Sequence, residues 1–339
     1  MYNVMAIGNA LVDHEYVLSD AALEETDLTR GNMTLAGLEE QQQLLAYFKL
    51  AEIEPSKQAG GGSAANTMYA FASLGGKPFY ACRVGDDDQG AFYLRDLHEA
   101  GVATSDKSIH EGGVTGSCVV AVTEDGERTM QTYLGTSSDI TADNVDFEAL
   151  TQADWLYLEG YLAMSESIQP AMTQLRQQAG IHGAKIAVSF ADPAVIKFAK
   201  EGLLNMLGNK VTVIFCNSEE AKLFTDKKQI KAAARALLDY CQTAVVTNGA
   251  NGAVVVHKSD DESEIEIYDI PTPVVANVID TNGAGDNYAG TFLYALSQQY
   301  SLPECGRLAS EVSAQVVQQF GPRLASQDYK DIAQRVLSA

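Results

Sequence analysis

Residues Val278–Tyr294 read VIDTNGAGDNYAGTFLY. A β-rich run ends at Asp280, a tight turn follows at Gly283-Ala284-Gly285, and a helical pattern begins near Asp286. Glycines at a strand-to-helix turn let backbone N–H groups approach an anion, and the helix N-terminus adds a partial positive charge. Asp286 stands beside that anion site. It is a candidate to accept a proton from an attacking hydroxyl while the N–H groups of Ala284 and Gly285 stabilise charge on the transferred group. An Asp N-cap on a glycine turn is common by itself. The full string Asp280-Thr-x-Gly-Ala-Gly-Asp286 is far rarer than its parts. It is not a P-loop, because no GxxxxGK[ST] occurs in the chain. It is not a dinucleotide fingerprint either: Tyr288 stands where the last glycine belongs, and Asp286 would repel a pyrophosphate.

Upstream of this segment, short apolar runs predict buried strands at Val4–Ile7, Phe79–Val84, Trp155–Leu158, Lys185–Ser189, Val211–Cys216 and Thr243–Thr247. Continuous rather than alternating apolarity suits strands covered on both faces. Helical patterns at Ala64–Leu74, Gln89–Ala100, Ser167–Gln178, Ile230–Tyr240 and Asn287–Gln298 lie between and after them. That alternation predicts an α/β fold with a mainly parallel, doubly wound sheet. Two stretches differ. Gly116–Leu134 reads as a hairpin about Asp125-Gly126, and Glu15–Leu50 is polar and irregular with a helix at Leu38–Tyr47. They predict a small appendage on the α/β body. A second hairpin, Val254–His257 with Glu264–Ile270, flanks the acidic loop Ser259–Glu262, which reads as a solvated turn. The acidic loop Gly85–Gly90 reads as the cap of the next helix rather than a metal site.

Composition limits the partners. The chain has 339 residues, 45 acidic against 23 basic, for a formal charge of −22. Extended nucleic-acid or anionic-membrane surfaces need clustered Lys and Arg, so neither is expected. Small phosphate ligands stay open. Cys82, Cys118, Cys216, Cys241 and Cys305 form no CxxC pair, which argues for reduced core thiols and a cytoplasmic protein. The N-terminus has no basic run before an apolar one, so no signal peptide is expected, and no apolar run reaches the ~18 residues of a membrane span.

Two further motifs complete the pattern. Gly60–Asn66, GGGSAAN, precedes a helix, and Asn217-Ser218-Glu219-Glu220 follows a buried strand. Together with Asp280–Asp286 they resemble, in order and spacing, the signatures of the ribokinase (PfkB) family of carbohydrate and nucleoside kinases. The resemblance implies a ribokinase-like three-layer α/β/α fold in one domain over residues 1–339, with a small β lid from segments near 13–50 and 114–136. It implies phosphoryl transfer from ATP to an alcohol, with Asp286 as base and Gly283, Ala284 and Gly285 as the anion hole. Asn217, Glu220, Thr247, Asn248, Gly249 and Asn282 would serve ATP, with Glu220 holding Mg²⁺ through water. A monovalent cation is a further candidate.

The acceptor follows from the N-terminal third. Gly60–Asn66 offers backbone N–H groups, a hydroxyl and an amide, which suit a vicinal diol. Asp13, just past a buried strand, reads equally as a diol acceptor or a turn residue. Gly8-Asn9-Ala10-Leu11-Val12-Asp13 resembles the start of adenosine kinases within the family, as does the Asn282 variant of the last motif. The resemblance implies a nucleoside acceptor, adenosine, phosphorylated at its 5′-hydroxyl. Asn9, Asp13, Gly61, Gly62, Ser63 and Asn66 would hold its ribose. A ribose- or fructose-like sugar acceptor is the alternative, and a non-catalytic nucleoside-binding module a more distant one. The same family likeness leaves monomer or lid-mediated homodimer open. Met130, Tyr133 and Leu134 are candidates for contact with a purine base, though each one singly reads better as an ordinary lid-core residue.

Overall fold

The computed structural model describes residues 1–125, 127–259 and 264–337. Gly126, expected in the first hairpin turn, and residues 260–262 of the acidic loop lie outside them. Among the described residues the strands are, in chain order, β1 (Tyr2–Ile7), β2 (Leu11–Val17), β3 (Met33–Leu35), β4 (Lys57–Gly61), β5 (Pro78–Ala81), β6 (Val84–Gly85), β7 (Ile109–His110) and β8 (Gly116–Val122). They continue as β9 (Arg128–Tyr133), β10 (Ala153–Leu158), β11 (Lys185–Ser189), β12 (Val211–Asn217), β13 (Cys241–Thr247), β14 (Ala253–Lys258) and β15 (Ile265–Ile270).

Eight of these strands form the main sheet, in the order β15-β14-β13-β12-β11-β10-β1-β5. From β5 to β13 every pairing is parallel, and β14 and β15 add an antiparallel edge. The apolar runs are continuous because the sheet is covered twice. Val4, Ala6, Tyr157, Ala187, Val213 and Val245 face one core, with helices Ser63–Ser73, Ala284–Ser297, Leu302–Val316 and Ser326–Leu337 over them. Their sequence neighbours Met5, Ile7, Leu158, Val188, Ile214 and Val246 face the other core, under helices Gln169–His182, Lys200–Leu207 and Ser218–Thr225. This is the expected three-layer arrangement.

The second sheet, β3-β9-β8-β2-β4, is built from Leu11–Leu35, from the hairpin Gly116–Tyr133 and from β4, a glycine-rich stretch that its sequence places only ahead of a helix. β2 pairs with both β4 and β8, and leaves β1 through only three residues, Gly8–Ala10. Helix Leu38–Leu50 covers its outer face, where Leu44 and Phe48 pack on Tyr16, Val119 and Ala121. The other face carries Cys118, Val120, Val122 and Met130.

Two expected elements change. Val278–Asp280 forms no strand: the N–H groups of Ile279 and Asp280 donate to the Val317 carbonyl (2.8 and 3.3 Å), at the end of a helix rather than on a sheet edge. The helix after it starts at Ala284, before Asp286, with Gly283 as its cap. Phe79–Val84 splits into β5, in the main sheet, and β6, which pairs with β7. Among the described residues no helix is long and apolar enough to cross a membrane.

Candidate active site

The carboxyl ends of β1, β10, β11, β12 and β13 open into a cavity of 1210 Å³, roofed on one side by the second sheet. Loops past the carboxyl ends of parallel strands are the usual place for a ligand site, because that is where the chain is free of ladder constraints.

At one end of the cavity is the N-terminus of helix Ala284–Ser297. Gly283 has φ +73°, and a Cβ there would lie 2.5–2.7 Å from Pro322 atoms, so the turn requires glycine on both counts. The turn is pinned from beneath by Asp280 of the motif and by Asn287 and Tyr329, which no sequence motif marks. Asn287 is fully buried and donates from Nδ2 to the carbonyls of Gly283 and Pro322, both at 2.7 Å. Its Oδ1 accepts from the Tyr329 hydroxyl at 2.5 Å. Asp280 accepts from the N–H groups of Asn282 and Gly321, each at 2.8 Å, and pairs with Arg128 of β9. A helix leaves its first N–H groups without intrahelical partners. Here a side chain at position 285 would meet open space, so the first turn faces the cavity unobstructed.

Asp286 lies at that first turn. Its Oδ1 accepts from Ser63 Oγ at 2.6 Å and its Oδ2 from Asn66 Nδ2 at 3.0 Å. Burial pushes its carboxyl above the usual range, while these two hydrogen bonds and the Arg323 guanidinium pull it back. Helix Ser63–Ser73 begins at Gly62, so the motif at Gly60–Asn66 and the motif at Asp280–Asp286 meet across more than 200 residues of chain through side chains of their own.

The β2–β4 ladder sets the other polar groups. It places Leu11 opposite Gly61 and Asp13 opposite Ala59. The Asp13 carboxylate occupies the space a Gly61 side chain would need, 2.3–2.6 Å from its Cβ position, which is why glycine stands there. Burial raises Asp13 to about 7 against the opposing pull of Arg323 and Arg128. Asn9 is held by Glu159, which had not been singled out: Oε1 accepts from Asn9 N at 3.2 Å and Nδ2 at 2.9 Å, and Oε2 accepts from Ala64 N at 2.7 Å. Glu159 is fully buried and burial raises it to about 7. The signal for it was present: a lone carboxylate directly after the buried run Trp155–Leu158, whereas Asp13, expected just past a strand, lies within β2.

Toward β12 and β13, Asn217 caps helix Ser218–Thr225. Its Oδ1 accepts from the N–H groups of Glu219 and Glu220 at 2.9 Å, and Glu220 accepts from Asn217 N at 2.9 Å and Nδ2 at 2.6 Å. Glu220 is raised to about 7, first by burial and then, after its bond from the Asn217 N–H has opposed this, by the nearby charges of Asp192, Glu219 and Asp286. Thr247 closes β13, and Asn248 and Gly249 enter the following turn.

The cavity therefore brings together Asn9, Asp13, Gly62, Ser63, Asn66, Asn217, Glu220, Thr247, Asn282, Gly283, Gly285 and Asp286. Gly61, Ala284, Asn248 and Gly249 do not contribute to its lining. Under the second sheet the wall holds the apolar Leu11, Leu35, Val120, Met130 and Leu134 together with Asp125, Glu127, Arg128 and Thr132, whereas Tyr133 is not part of it.

Residues 33–328 match the family described as pfkB family carbohydrate kinase. The chain is 32% identical to the adenosine kinase of Sinorhizobium meliloti, whose crystal structure superposes with a TM-score of 0.87 over 98% of this chain and 99% of that one. A probable sugar kinase from Rhizobium etli is 30% identical, with a TM-score of 0.87 over 98% of both chains. The adenosine kinase of Saccharomyces cerevisiae is 26% identical over 96% of this chain and 97% of its own.

Proposed function

The chain belongs to the pfkB family of carbohydrate kinases, a phosphotransferase acting on an alcohol group close to the adenosine kinases, and on that premise we propose that its acceptor is a nucleoside, adenosine, phosphorylated by ATP at the 5′-hydroxyl to give AMP and ADP. The observation that carries this reading is the two-sided cavity. Its polar floor suits a ribose. The apolar part of its wall, Leu11, Leu35, Val120, Met130 and Leu134, exceeds what a monosaccharide needs and suits a purine. The likeness to adenosine kinases over nearly the whole chain supports it.

In this reading Asp286 takes the proton from the 5′-hydroxyl as its oxygen attacks the γ-phosphorus. The N–H groups at Gly283, Ala284 and Gly285 receive the charge that builds on the transferring phosphoryl oxygens. Asn9, Asp13, Gly61, Gly62, Ser63 and Asn66 orient the ribose. Gly61 acts by leaving room for Asp13, because it does not itself face the cavity. Asn217, Glu220, Thr247 and Asn282 border the nucleotide, with Asn248 and Gly249 shaping the turn behind it. The whole chain acts as one kinase domain, and the second sheet is the lid that closes over the acceptor and excludes water.

Kinases of this family use ATP with a divalent metal. The residues fit Mg²⁺. Glu220 and Asp192 are neighbouring carboxylates that gain from a cation, yet the described residues hold no group of three His, Cys, Asp or Glu side chains able to bind one alone. Phosphate oxygens and water would complete the shell, as is usual for this ion. When bound, Mg²⁺ neutralises charge on the phosphates.

A monosaccharide acceptor is the second reading, favoured by the likeness to the Rhizobium etli probable sugar kinase at the same TM-score of 0.87. Coupled ADP-release assays across nucleosides and sugars separate the two. A higher kcat/KM on ribose or fructose than on any nucleoside rejects adenosine.

A further inference from the structure

Arg323 lies in the loop between helices Leu302–Val316 and Ser326–Leu337, outside the cavity lining. Its side chain is only 8% exposed. The Nε–H donates to Asn66 Oδ1 at 2.9 Å, and Nη1 pairs with Asp96 at 2.5 Å. The guanidinium stacks over the Tyr69 ring at 4.7 Å. Gly60 makes room for the pair: a Cβ there would meet Asp96 Oδ2 at 2.5 Å and Nη1 at 3.2 Å. Three fixed contacts on a planar group leave it one orientation.

That orientation has a chemical consequence. An amide has one accepting end and one donating end. Arg323 can only donate, so it claims Oδ1 of Asn66 and turns the NH₂ end outward. That end donates to Asp286 Oδ2 at 3.0 Å. We infer that Arg323 is a positioning residue for the phosphoryl transfer, acting through Asn66 to hold the carboxylate of Asp286 in place. This rests on the proposed role of Asp286 as base. Arg323 also leaves Nη2 without a partner among the described residues, and its charge acts on the buried carboxylates of Asp13 and Asp286. The ionisable groups that face Asp286 are Arg323, the carboxylates of Asp13, Glu159 and Glu220, and the phenols of Tyr157 and Tyr161. Arg323 is the cation among them.

Two measurements test the inference. The first needs no acceptor: crystal structures of Arg323→Gln and Arg323→Lys are expected to show Asn66 Nδ2 out of hydrogen-bond contact with Asp286. The second is kinetic, on the acceptor that the panel identifies. Arg323→Gln is expected to lower kcat/KM about tenfold to a hundredfold, the size of a lost hydrogen bond to a charged group. Its acid limb is expected to move to higher pH, because removing a cation makes the carboxylate harder to ionise. A smaller folded fraction would scale that profile without moving it. Arg323→Lys keeps the charge but not the fork, so its turnover falls while its acid limb moves less than that of Arg323→Gln. In an Asn66→Ala background, Arg323→Gln is expected to add little further loss. An Asn66–Asp286 contact preserved in the variant structures overturns the inference, as do fully additive losses or a wild-type rate in Arg323→Lys. If Arg323→Gln does not fold, Arg323→Lys decides by the same criteria. Should Asp286→Asn retain turnover, the proposed base is refuted, and the crystal structures still read the Arg323–Asn66–Asp286 arrangement.

Discussion

The two ends of the cavity are built by opposite means. At the helix Ala284–Ser297 end, short polar groups are locked by the backbone: Gly283 has no room for a side chain, Asn287 bonds the carbonyls of Gly283 and Pro322, Asp280 accepts from the N–H groups of Asn282 and Gly321, and Tyr329 holds Asn287. At the second-sheet end, the wall sets the aliphatic Leu11, Leu35, Val120, Met130 and Leu134 beside polar side chains and rests on a five-stranded sheet tied to the turn by the ion pair of Arg128 with Asp280. The first end is suited to fixing charge in place. In the proposed function the second is the lid side, which adapts to the acceptor and closes over it. Substitutions at the first end should therefore act on kcat, and those at the second on KM.

The largest effect is expected for Asp286→Asn, with kcat reduced about 10²–10⁴-fold, the range of a lost general base, and acceptor binding retained. Because burial raises Asp286, the acid limb of wild-type kcat/KM is expected above the ordinary carboxylate range. Activity falls as pH drops through that value, since only the ionised form accepts a proton. Next is Gly283→Ala. The φ of +73° and the contact with Pro322 oppose any side chain, so the variant should lose about 1–3 kcal/mol of stability in denaturant titrations and much of its turnover. A variant with wild-type kcat would show that the turn is less rigid than the comparison holds.

Met130→Ala should raise the KM for adenosine by about tenfold, the cost of emptying a few methylenes from a pocket, with kcat little changed. The same variant should leave a monosaccharide's KM unaltered, so it also separates the two acceptor readings. The smallest effect concerns stability. Glu159 titrates near 7 when folded against 4.5 as the unperturbed value. The folded state then binds more protons than the unfolded state across that window, and stability falls as pH rises through it. Glu159→Gln should flatten the slope of Tm against pH between about 5 and 7. An unchanged slope would mean that other carboxylates, Asp13 and Glu220, carry it.

Much of this was readable from residues alone. Continuous apolar runs predict a sheet covered on both faces, and β1, β10, β11, β12 and β13 stand where those runs are. The Asp280–Asp286 and Gly60–Asn66 motifs were visible because they use glycine and carboxylate in short, local patterns. The misread segments share one cause. Val278–Asp280 has strand-like residues, but its N–H groups find a carbonyl at Val317, 37 residues further along. The glycine-rich β4 has poor strand propensity, yet β2 supplies its ladder. In both, the deciding hydrogen-bond partner is distant in the chain.

Local chemistry in the sequence determined the α/β layering, the glycine turn with Asp286 at the head of a helix, and the family. Tertiary structure alone decided that Asp286 meets Ser63 and Asn66, that Glu159 braces Asn9 against Ala64, and that Arg323 orients Asn66 from behind. The reason is physical. An arginine, an asparagine or a glutamate carries no local periodicity that marks its role. Which donor faces which acceptor is settled only when helices far apart in sequence pack over one sheet and every buried polar group must find a partner.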